Sequence, residues 1–170
     1  MNIALIGYRG SGKTTICRLI AASMNKKLVS FDDEFQKRAK LSIDKFVAKY
    51  GWEKYREAEV NVIESMSDFD DCIFDTNSSI LIRNENMINL KKTSLTVFLA
   101  ADAKTILERI KSSKMLNSSQ KENSVDEIKR FLEQYEEKCK KSADYIIDTS
   151  KMTPEQAHDL IVHYATAELK

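Results

Sequence analysis

The chain has 170 residues, 42% of them hydrophobic, and carries 27 Lys and Arg against 26 Asp and Glu. That length suits one compact domain with a real core rather than two, and the even charge supplies no global attraction for nucleic acid or an anionic membrane. An anionic ligand must be held locally. Cys17, Cys72 and Cys139 are odd in number and form no CxxC pair, so neither a disulfide framework nor a zinc site is expected, and they read as small reduced core residues. No apolar run reaches spanning length and no signal-peptide pattern opens the chain, which points to a cytoplasmic protein.

Short apolar runs alternate with segments of helical period, the pattern of an α/β domain with a parallel sheet. The first predicted strand, residues 2–6 (NIALI), leads into GYRGSGKTT at residues 7–15. Gly7, Gly10, Gly12, Lys13 and Thr14 satisfy G-x-x-x-x-G-K-[ST], in which a strand, a glycine-rich loop and a helix start turn backbone amides toward phosphates. Ser11 and Thr15 belong to the same ATP-binding stretch. Lys13 is expected to bridge the β- and γ-phosphates, and Thr14 to offer its hydroxyl to Mg²⁺. Ile16, Leu19, Ile20 and Met24 then mark one buried helix face.

A second strand is predicted at 28–31 (LVSF), followed by the acidic run Asp32, Asp33 and Glu34, which suits a solvated helix start. Tyr55, Ala58, Val62 and Met66 have the spacing of another helix face. The third strand, 72–75 (CIFD), ends on Asp75, where a phosphate-loop enzyme can hold a magnesium-associated Asp. Asp75 could equally begin a turn with Thr76 and Asn77. The fourth strand is predicted at 95–99 (LTVFL), and Ile106, Leu107 and Ile110 mark the helix after it. Residues 111–124 (KSSKMLNSSQKENS) are polar without apolar period, either a solvated connector or a mobile lid over a nucleotide. The fifth strand is predicted at 145–148 (YIID). Thr153, Pro154 and Gln156 are the N-cap, first helical position and capping-box partner of a last helix. His158 and His163, five apart on it, do not form a metal pair and are expected at the surface.

A phosphate loop alone does not choose among GTPases, motor ATPases and small kinases. The chain has no N-K-x-D to read guanine; its length, candidate lid and acidic second-strand end favour a small-molecule kinase.

With those residues in view, the sequence resembles the shikimate kinases over nearly its whole length. GYRGSGKTT, FDDEFQKRAKLSIDKFVAKYG and YREAE carry the resemblance. It implies a three-layer P-loop kinase fold, a five-stranded parallel sheet flanked by helices, with a lid at about 111–124 and an acceptor-binding segment at about 32–60 within a single domain, 1–170. It implies that Asp32 holds the acceptor hydroxyl as catalytic group beside Lys13, and that Arg56 grips the acceptor carboxylate. It also implies that Arg109 and Pro154 lie on either face of adenine.

Four positions depart from the family pattern. Ser30 stands where the family has a first Asp near the magnesium, a loss that Asp75 is proposed to restore. Asn77, Ser78 and Ser79 replace a glycine triplet at the acceptor, which makes Asn77 an acceptor-binding candidate. Lys114 is the nearest match to the lid Arg, and Tyr135 takes the place of a second Arg on the acceptor carboxylate. Arg9 either replaces that lost clamp or points to solvent. The expectation is an ATP- and Mg²⁺-dependent kinase, monomeric, acting on a small hydroxylated anionic acceptor, with shikimate first. The alternatives are a nucleotide-binding protein of this type with another acceptor or little transfer activity, and a nucleoside or nucleotide kinase.

Overall fold

The computed structural model describes residues 1–112 and 124–168. Strands β1 (Asn2–Gly7), β2 (Lys27–Ser30), β3 (Cys72–Asp75), β4 (Ser94–Ala100) and β5 (Tyr145–Asp148) form one sheet in the order β2-β3-β1-β4-β5. Every pairing is parallel. The chain leaves β1 toward one edge and returns from β3 to the other side of β1. The crevice outside the carboxyl ends of the strands at that reversal is where open α/β sheets place ligands.

Helices α1 (Lys13–Ser23), α2 (Phe31–Ala39), α3 (Ile43–Met66), α4 (Asn84–Thr93), α5 (Ala103–Ser112), α6 (Val125–Ser142) and α7 (Pro154–Glu168) cover both faces. Alternation along β1 sorts them. Ile3 and Leu5 pack with Ile16 and Ile20 of α1 and Ile161 of α7, while Ala4 and Ile6 pack with Phe35, Ile63, Met66 and Leu90 of α2, α3 and α4. A third cluster, Tyr8, Ile106, Ile110 and Ile128, joins the phosphate loop to α5 and α6. Three layers follow, as expected, and Cys17, Cys72 and Cys139 are buried and free. No helix among the described residues is long and apolar enough to cross a membrane.

Two details differ from the sequence expectation. Phe31 does not extend β2 but begins α2, because Ser30 is the N-cap and its hydroxyl accepts from the Asp33 N–H at 3.4 Å. His158 is no bare surface residue, since its Nε2 lies 2.7 Å from Ser23 Oγ and ties α7 to α1. The α7 capping box forms as expected, with Gln156 N–H donating to Thr153 Oγ1 and Thr153 N–H to Gln156 Oε1.

The 24-residue α3 is broken at Gly51, with φ 83° and ψ 168°. That region is open essentially to glycine alone. A Cβ there would meet nothing within 4 Å, so the backbone angle, not space, requires the glycine.

Candidate active site

β1 ends in the phosphate loop, and α1 begins at Lys13 directly after Gly12. A Cβ on Gly7 would stand 2.6 Å from the Leu99 carbonyl oxygen of β4, so a side chain would push the loop off the sheet. Lys13 is buried, and its Nζ donates to the carbonyls of Gly7 and Tyr8 at 2.8 and 2.9 Å. Burial lowers its pKa to about 8, with Asp75, Cys17 and Asp32 pulling it back up. Thr14 and Thr15 are exposed at the start of α1, and Ser11 is buried under the loop.

Arg109 bolts α5 to this loop. Its Nη1 donates to Thr149 Oγ1 at 3.0 Å and to the Gly10 carbonyl at 3.4 Å, and its Nη2 to the Thr149 carbonyl. These bonds use the guanidinium edge, whereas stacking on a base uses its face. Thr149, which the sequence reading did not single out, also reaches the Ser11 carbonyl at 3.0 Å. Pro154 lies exposed at the first position of α7, shortly beyond it.

The Thr14 hydroxyl faces Asp75, at the end of β3, closely enough to favour its ionised form. Burial raises the Asp75 carboxyl above its ordinary value, opposed by the Thr14 hydroxyl and by Lys13 and Arg18. An oxygen-only pair beside a phosphate loop fits a hard divalent cation, which takes one or two protein oxygens and completes its shell with phosphate and water. Among the described residues no group of three or more His, Cys, Asp or Glu could form an all-protein cage.

The acceptor half is a polar network. Arg56 Nη1 donates to Glu59 Oε1 and Oε2 at 3.2 and 3.4 Å, and its guanidinium lies over the rings of Trp52 and Tyr55 at 5.3 and 5.1 Å. Glu59 is wholly buried. A buried carboxylate must be paired and hydrogen-bonded, and Glu59 also accepts from Ser79 Oγ and from Asn86 Nδ2 at 3.1 Å. Asn77 Nδ2 donates to Tyr55 Oη at 3.1 Å and to Asp32 Oδ1 at 3.4 Å. Water reaches Asp32, yet its carboxyl is raised above the ordinary 3.8. Desolvation by its surroundings leads, the Asn77 amide and Lys13 oppose it, and Asp75 and Asp33 add to it. Asp75 pairs in register with Ser30, the N-cap of the helix that carries Asp32, and Lys13 opposes the rise of both carboxyls, so the two halves meet in one crevice.

A family profile described as shikimate kinase matches residues 9–166. The shikimate kinase of Caldicellulosiruptor saccharolyticus is 34% identical over 164 residues, which cover 95% of this chain and 93% of that one. The chain belongs to the shikimate kinase family. It is thus a small-molecule kinase with ATP as co-substrate and a divalent cation. The crystal structure of the Aquifex aeolicus shikimate kinase matches with a TM-score of 0.83 at 29% identity, over 99% of this chain and 98% of that one. A shikimate kinase from Acinetobacter baumannii in complex with shikimate shares the fold, with a TM-score of 0.87 at 22% identity over 98% and 93% of the two chains.

Against that shikimate kinase frame, each departure has a physical position. Ser30 and Asp75 are register partners on neighbouring parallel strands, so their backbones stand one strand spacing, about 4.8 Å, apart. Asn77 caps the 3₁₀ turn Ser78–Ile82. Tyr135 faces Phe131, with ring centroids 4.5 Å apart. Lys138 on the same helix donates to the Leu81 and Ile82 carbonyls at 2.8 and 3.3 Å. Arg9 is half-buried at the loop and forms no ion pair with another described residue. Of the expected lid, Lys111 and Ser112 are the last turn of α5 and Ser124 is the N-cap of α6. Lys114 lies outside the described residues.

Proposed function

We propose that this chain transfers the γ-phosphoryl group of Mg·ATP to a hydroxyl of shikimate. The observation that carries the reading is the placement of the phosphate loop, Asp75 and Asp32 at the carboxyl ends of three neighbouring strands, with the Glu59-anchored Arg56 joined to Asp32 through Ser79, Tyr55 and Asn77. A bound Mg²⁺ would neutralise charge between the β- and γ-phosphates, with Thr14 and Asp75 as its protein oxygens. Lys13 stabilises charge on the transferring group. Asp32 orients the acceptor hydroxyl and takes its proton. A carboxyl raised above 3.8 is a stronger base than an ordinary Asp. Arg56, fixed on one edge by Glu59, presents its remaining donors to the acceptor carboxylate.

The glycine loop with Ser11 and Thr15 holds the phosphates, and Arg109 and Pro154 flank the adenine. The chain acts as one kinase domain and as a cytoplasmic monomer. The even charge of 27 against 26 supports a small acceptor rather than nucleic acid.

The experiment is ADP release with Mg·ATP, alone and with shikimate, using Lys13→Ala as the blank. Shikimate-dependent turnover lost in that variant is expected. Intact ATP binding without stimulation by shikimate would leave the nucleotide-binding reading instead.

A further inference from the structure

We infer that Asn77, held by Ser79, is a positioning residue that aims the Asp32 carboxylate and couples it to the Arg56–Glu59 anchor. The inference rests on transfer to a hydroxyl at Asp32.

The orientation of the Asn77 amide follows from proton counting. Asn77 Oδ1 lies 3.1 Å from the Ser79 backbone nitrogen, which can only donate. The oxygen must face Ser79, so the NH₂ group must face the other way. There it meets Tyr55 Oη at 3.1 Å and Asp32 Oδ1 at 3.4 Å. One amide proton serves each.

Ser79 Oγ holds the far end of the network. It lies against Glu59 Oε1, itself bonded to Arg56, and 2.7 Å from Asn77 Oδ1, and its one proton can go to either oxygen. Ser79 Oγ can then accept from Tyr55 Oη, 3.1 Å away, and Tyr55 Oη accepts from Asn77. The hydrogen bonds therefore run from Asn77 through Tyr55 to Ser79, whose hydroxyl links both to the buried Glu59 and back to Asn77 Oδ1, and the second Asn77 proton points at Asp32. Side chains thus tie the two acceptor-binding groups together at the place where this sequence lacks the family's glycines.

Capping the 3₁₀ turn requires only Oδ1, whereas positioning Asp32 requires Nδ2. Asn77→Ser separates the two roles, because serine caps equally well but has no amide to offer Asp32. In the full chain, Asn77→Ser is expected to keep the melting temperature and to hold KM for shikimate and ATP within about twofold, while kcat falls about tenfold. Ser79→Ala should lower kcat about threefold in the wild type and have no further effect in Asn77→Ser, because it acts through the same amide. An unchanged kcat, a raised shikimate KM at constant kcat, or additive losses in the double variant would overturn the inference. A readout without turnover keeps it separate from the proposed function: the Asp32 carboxyl ¹³C resonance of the free protein should move in Ser79→Ala, although Ser79 does not touch Asp32. If wild-type protein ignores shikimate, the proposed function fails; if that resonance does not move, the coupling fails.

Discussion

Lys13 is the group whose environment most changes its chemistry. Its ammonium is buried against two backbone carbonyls and has a pKa of about 8. Phosphate oxygens brought against Nζ favour the charged form and raise that value. ATP binding at pH 8 is therefore expected to take up about half a proton, a figure set by half-titration in the free protein. Calorimetry in two buffers of different ionisation enthalpy measures it, and the uptake should vanish in Lys13→Met. Asp75 belongs to the same scale. If it holds the cation with Thr14, Asp75→Asn should weaken Mg·ATP binding about tenfold or more and metal-free ATP binding by no more than about threefold. Equal weakening of both would remove Asp75 from the metal site. Lys13 and Thr14 were legible because their motif fixes spacing and context together. Glu59 was not singled out, although it shares a helix face with Tyr55, Val62, Ile63 and Met66. A carboxylate within an apolar stripe must find a cation, and Arg56 three residues earlier was the available one.

At the scale of elements, all five strands were legible because apolar runs of four to seven residues stand between helical segments. Helix α4 was missed because NENMINLKKT carries three asparagines, and only Met87 and Leu90 among its apolar residues are buried. Phe31 reads as a strand residue by propensity, yet the Ser30 cap three residues before the Asp33 N–H overrides it. The kink at Gly51 was also unread, since an isolated glycine within a helical period does not announce its φ. It sets the direction in which residues 43–50 leave the helix that carries Arg56 and Glu59. Gly51→Ala should destabilise the protein by about 1–3 kcal/mol through backbone strain alone, because the added methyl meets no neighbour. Its second effect should be a raised KM for shikimate with that for ATP unchanged. Denaturant titration and steady-state kinetics check both, and an equal rise in the two KM values would show that the kink serves the whole crevice.

Across the molecule, the sheet gathers charges that do not favour one another's company. Asp32 and Asp75 have raised carboxyl values and Lys13 a lowered one, and burial leads in all three. In all three the surroundings favour the neutral form over the charged one, so holding charge in the crevice costs stability that the apolar layers on either side of the sheet must supply. The sign of the pH dependence follows. A carboxyl whose folded pKa lies above its unfolded value stabilises the fold most in acid, and that contribution is lost as pH rises through the folded value. Asp32→Asn should therefore melt higher than the wild type at pH 7, with the gap closing as pH falls toward the ordinary carboxyl value of 3.8. Because water reaches Asp32 and screens it, the gain should not exceed about 2 °C. The same variant should lose phosphoryl transfer, since the proton acceptor is gone. Melting curves at pH 7 and pH 4, read beside turnover, decide it: a variant less stable than the wild type at pH 7 would mean that the Asn77 bond to Asp32 outweighs its desolvation, and that the crevice is held together by its charges rather than in spite of them.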